Sequence, residues 1–195
     1  MIVTAKEKST ETFLNNIDDI ENSINIATQT LERNISFIAN CDNKTSIVLA
    51  SIGVLLTIIL TNNGINEIFK IIKSCISEKN FCNVFYLICF FISISVLLFG
   101  FYNLCSVLIA RTQNKNESNS LIFFSGIIKN GNKNSYFEKF VAMSQEEYLD
   151  DLISEIYINA SIATTKYKKY NLGFKCTAVG FVAFIIILLI GVYLY

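Results

Sequence analysis

The sequence predicts an all-α membrane protein: three transmembrane helices with a cytosolic helical stalk formed by the N-terminal helix and the helix preceding the last span. Three observations predict it. The 195 residues are 52% hydrophobic and 16% charged, too apolar for a disordered chain and short enough for one integrated unit. Three stretches carry no charge over lengths that cross a bilayer, whose hydrocarbon core of about 30 Å asks for roughly 20 helical residues. The other segments place apolar residues at helical spacing, and the chain has no proline to interrupt them.

Residues 1–44 read as a cytosolic amphipathic helix. Leu14, Ile17, Ile24, Leu31, Ile35 and Ile38 recur at three, four or seven residues, with Asp18, Asp19, Glu21 and Glu32 on other faces. The opening MIVTAKEKSTETFLNNIDD lacks a long apolar core and carries acids early, so no cleavable secretory signal is expected. Residues 45–66, uncharged across 22 positions, form the first span, and 67–80 an external loop. The second span, 81–110, lies in an uncharged stretch of 31 residues from Asn80 to Ala110, more than one vertical crossing needs, which implies tilt or projection.

Residues 111–175 form a cytosolic helical region. RTQNKNESNS is polar and loop-like, LIFFSGII fits helix or strand, and KNGNKNS carries an Asn-Gly turn signal. Ser144 and Glu147 form a capping box that opens a helix bearing Leu149, Leu152, Ile153, Ile156, Ala160, Ala163, Tyr167 and Tyr170. That helix is expected to run straight into the third span, residues 176–195, where Tyr193 and Tyr195 suit an interface. Four basic residues precede the first span and nine lie between the second and third, against three in the loop, which places the amino terminus in the cytosol.

Composition excludes several functions. Sixteen Lys and Arg balance sixteen Asp and Glu, so no basic excess drives nucleic-acid binding. The absence of His removes the commonest general base and transition-metal ligand together, and no base remains to activate Ser or Cys. The chain is therefore expected not to be an enzyme, and to hold no metal and no resident cofactor. The six cysteines show no CxxC spacing and read as free thiols; Cys75 and Cys82 alone fall near the outer face, where a disulfide is conceivable.

Some residues stand out against that background. Ser46, Ala50, Gly53 and Thr57 put small side chains on one face of the first span, which suits close helix packing. Ser93, Gly100 and Asn103 share a face of the second span. The Asn103 amide must meet protein or water, either in an interhelical hydrogen bond or along an aqueous path in an opened oligomer. Arg33 and Arg111 are the only arginines, and with Lys166 and Lys169 they are the candidate anion ligands. Lys166, Lys168 and Lys169 also suit anionic lipid headgroups. The acids Glu146, Glu147, Asp150 and Asp151 lie in a helix's first turns, where they stabilise the dipole.

The order of parts carries a resemblance. A cytosolic helix, NCDNKTSIVLASIGVLLTIIL, a second span, SLIFFSGII, SQEEYLDDL, and IATTKYKKYNLGFKCTAVGF entering a last span resemble the Pycsar effector transmembrane family over roughly residues 10 to 195. The matching positions are Asp42, Lys44 and Ala50 to Leu55, then Phe123 to Ile127, the pair Tyr148 and Leu149, and the lysine-bearing helix Lys166 to Lys169; Thr45 stands where a small alanine is more usual. The resemblance implies an antiphage effector of the bacterial inner membrane. A partner cyclase makes cyclic CMP or cyclic UMP after infection, and the effector impairs the membrane so that the cell stops growing or dies. The implied partners are the lipid bilayer, further copies in a homo-oligomer and that nucleotide as activating ligand, held between the cytosolic helices. A membrane scaffold and a phage-type pore former without ligand are the alternatives.

Overall fold

The structure, a computed structural model, describes residues 2–77, 80–109, 120–129 and 131–194. Among the described residues every regular element is an α-helix: α1 Ile2–Ile59, α2 Asn62–Ser77, α3 Phe81–Leu108, α4 Phe124–Lys129, α5 Lys133–Ala142 and α6 Gln145–Leu194. Three of them, within Asp19–Ile59, Phe81–Leu108 and Gln145–Leu194, are long and apolar enough to cross a membrane.

In α1, hydroxyls turn back onto the helix's own backbone. Thr28, Thr30, Thr45, Ser51 and Thr57 each donate to the carbonyl four residues back at 2.8–2.9 Å, so α1 carries polar side chains into an apolar setting without orphan donors. The uncharged stretch 45–66 divides in two. α1 stops at Ile59, the chain turns at Leu60 and Thr61, and α2 begins at Asn62 with Ile65 N bonded to Thr61 O at 2.8 Å. The connection between the first two spans is thus helical up to Ser77, because its isoleucines and lysines alternate with helical rather than irregular spacing.

The ambiguous LIFFSGII segment becomes helix α4. The Ser120 hydroxyl accepts from Ile122 N and Phe123 N at 3.2 and 3.0 Å, satisfying donors ahead of the first turn. At the Asn-Gly signal, Gly131 takes φ +88°, a conformation other residues rarely adopt. Asn132 then caps α5 by accepting from Ser135 N at 2.9 Å. The capping box at α6 is formed: Glu147 N donates to Ser144 Oγ at 3.2 Å, and Ser144 N to Glu147 Oε2 at 2.9 Å. From there α6 continues unbroken into the last apolar segment, as expected.

The chain divides into two compact units, residues 1–38 with 111–164 and residues 39–110 with 165–195. In the first, Asn34 of α1 donates to the Ile156 carbonyl of α6 at 3.3 Å, and Ala27, Leu152 and Ala163 are buried. Asp151 of α6 accepts from Ser120 Oγ and Leu121 N at 3.1 and 2.9 Å, while the Tyr136 hydroxyl donates to the Leu121 carbonyl at 3.0 Å. Segment 120–129 is therefore clasped to α5 and α6.

In the second unit α3 runs antiparallel to α6, and backbones touch. A methyl at Gly100 would strike Thr177, one at Gly180 would meet Leu97 N at 2.6 Å, and one at Gly173 would meet Leu104 N at 3.0 Å. Small residues at these three points permit the approach. Further along, the Phe90 and Phe184 rings meet at a 40° tilt with centroids 5.8 Å apart, and the Tyr86 hydroxyl donates to Ile187 O at 2.9 Å. α1 runs parallel to α6, burying Cys41, Thr45 and Ile52. α2 lies at the end of this bundle, with buried Ile71 against Gly191.

Candidate functional site

Lys166 joins three helices at one end of the second unit. Its ammonium donates to both carboxylate oxygens of Asp42 on α1, at 2.6 and 2.8 Å, and to the Val107 carbonyl of α3 at 2.7 Å. A lysine has three donors, and these contacts employ all of them. Val107 belongs to the last turn of α3, whose final carbonyls lack intrahelical partners and carry the negative end of the dipole. Lys166 thereby caps α3 and pairs with α1 at once. Its side chain is 7% exposed and that of Asp42 35%, so the pair is desolvated on one side and open to water on the other. Truncating one partner of such a pair strands the other, at about 3–5 kcal/mol for complete burial.

The neighbouring residues insulate it. Cys41 is fully buried; burial, then the Asp42 charge, push its thiol above the usual range while Lys166 opposes them. A protonated, enclosed thiol is a packing group rather than a nucleophile. Thr45 is also fully buried, its hydroxyl spent on the Cys41 carbonyl.

The candidate residues divide among different settings. Lys169 is half-buried on α6, Arg33 is exposed on the α1 portion of the other unit, and Arg111 lies outside the described residues. Ser93, Gly100 and Asn103 share the buried face of α3. Ser93 Oγ donates to Phe90 O and Asn103 Nδ2 to Phe99 O, both at 2.8 Å, so these bonds stay within the helix rather than crossing to another. Ser46, Gly53 and Thr57 are exposed, and open space lies where Gly53 would carry a methyl. The two small-residue faces are not brought together: that of α3 meets α6, and that of α1 points away from the bundle.

Two features were not marked by the sequence. Asp42 was visible as a charge beside the first span, but its pairing over 124 positions has no local signal. Thr177 Oγ1 is, among the described residues, the one buried side-chain oxygen without a hydrogen-bond partner. It borders a groove of about 310 Å³ with Val48, Ile52, Phe174, Ala178 and Phe181. All six cysteines are free thiols, and no grouping of metal-ligating side chains is present among the described residues.

Helices of this length and apolarity, tied by a half-desolvated ion pair, define a multi-span helical membrane protein. The family model described as the Pycsar effector protein domain matches residues 26–192, and the chain belongs to that family of antiphage defence effectors. It is 28% identical over 176 residues to the Pycsar effector protein GmPycTM of Gulbenkiania mobilis, covering 83% of this chain and 89% of that protein. No solved structure matches the chain.

Proposed function

We propose that this effector is a non-enzymatic, nucleotide-gated homo-oligomer of the bacterial inner membrane, with its amino terminus in the cytosol. Cyclic CMP or cyclic UMP from a partner cyclase binds the cytosolic helices, which act as a stalk, and biases the spans from a closed bundle to a leaky one. A ligand can do this only through different affinities for the two arrangements. The observation that carries the reading is the Lys166–Asp42–Val107 junction, which ties all three spans in one arrangement and has a single polar solution to give up.

The test is dye release from liposomes containing the purified protein, with cyclic CMP, with cyclic UMP and with neither. Release with one nucleotide and retention without it is expected; retention under both counts against gating. In cells, growth arrest should require a co-expressed cyclase. Arrest by the protein alone would favour an unregulated pore former, and harmlessness in both cases a scaffold.

A further inference from the structure

We infer that α2 is an interfacial helix that rests an apolar shoulder in the headgroup and upper acyl layer of the leaflet opposite the Lys166–Asp42 junction. The inference rests on the reading of α1, α3 and α6 as spans. The first support is depth. Val107 marks the charged junction and Tyr86, beside Gly191 and Ile71, marks the level of α2. From Lys175, the last charge on α6, to Gly191, which meets Ile71 of α2, α6 climbs about 24 Å at 1.5 Å per residue, most of the hydrocarbon thickness of about 30 Å. A charged boundary at one end therefore sets α2 at the other interface.

The second support is the division of α2 into three faces. At helical spacing, Ile71 and Cys75 form one side, both buried on the bundle. Ile65, Phe69, Ile72 and Ile76 form the adjoining side, where Phe69 is 67% and Ile76 61% exposed. Asn63, Asn66, Glu67, Lys70 and Lys73 fill the remaining arc. A helix serving only as a connector needs one apolar face toward the protein; α2 has a second one, exposed, and Phe81 and Phe85 at the start of α3 are exposed as well. Lys73 borders this shoulder, and its aliphatic stem can follow the apolar surface while the ammonium reaches anionic headgroups. Lys70 is paired with Glu67 at 2.6 Å on the exposed side. Apolar shoulder, basic border and polar outer arc match a lipid interface, whereas a helix-binding groove would be walled on both sides.

The chain contains no tryptophan, so single substitutions give clean optical reporters. Phe69→Trp, Ile76→Trp, Lys70→Trp and Leu98→Trp proteins are reconstituted into nanodiscs of phosphatidylethanolamine and phosphatidylglycerol, one copy per disc. Lipids brominated near the carbonyl or near the chain end serve as depth quenchers. Phe69→Trp and Ile76→Trp should show blue-shifted emission quenched by the shallow bromine, Lys70→Trp aqueous emission, and Leu98→Trp quenching by the deep bromine. Aqueous emission from Phe69→Trp and Ile76→Trp with Leu98→Trp still quenched overturns the inference alone. Loss of quenching at Leu98→Trp as well overturns the membrane reading beneath it. Shielding of Phe69→Trp that appears only with several copies per disc assigns the shoulder to another copy and also overturns the inference.

Discussion

An ammonium group held among apolar helices is stable only when each of its protons finds an acceptor, and Lys166 meets that condition with Asp42 and Val107. Asp42→Asn or Lys166→Met should therefore lower unfolding stability in detergent by about 3 kcal/mol, the low end for buried pairs because Asp42 is partly exposed. The double variant Asp42→Asn with Lys166→Met should lose less than the two single losses combined, with a coupling of roughly 1–3 kcal/mol. Simple additivity of the three measurements would show that the pair contributes nothing beyond its parts. Charge and place in the sequence mark Lys166 as a candidate anion ligand. They do not mark its saturation, since an acceptor at the end of another helix leaves no trace near position 166.

Among the elements, α3 and α6 depend on the absence of side chains where they meet. Gly100→Ala would drive a methyl onto the Thr177 backbone, which cannot yield as a flexible side chain does, so a loss at or above about 1–3 kcal/mol is expected. Gly53→Ala meets open space and removes a weak helix former, so it should be neutral or stabilising by up to about 1 kcal/mol. Equal melting shifts for the two variants would refute the packing described. Both glycines looked alike in sequence, as parts of small-residue faces. Periodicity tells which side chains share a face, but not whether another helix occupies it. The capping box at Ser144, by contrast, was readable because donor and acceptor lie within one turn. The turn at Leu60 was harder to see: Thr61, Asn63 and Gly64 carry no charge, so they prolong an uncharged stretch while ending a helix.

For the whole molecule, a formal charge of zero conceals an uneven placement of lysine and arginine along the chain. With the amino terminus inside, and in a protein whose six native cysteines are replaced by alanine, a membrane-impermeant maleimide applied to intact spheroplasts should label the Asn66→Cys variant and leave the Ser154→Cys variant untouched until the cells are opened. The reverse pattern would invert the topology. Three spans could be counted from charge-free lengths alone, since lipid excludes unpaired charge wherever a helix crosses it. Which faces of those spans meet could not, because the apolar residues that pack and those that face lipid are drawn from the same few types.

The uninterrupted course of α6 within the second unit, from Lys166 to Gly191, has a mechanical corollary. A rod without proline or a break in its hydrogen bonding has no elbow at which to bend. Displacement along this stretch travels as axial twist or as sliding, and either movement would shear Lys166 from Val107 and Tyr86 from Ile187 together.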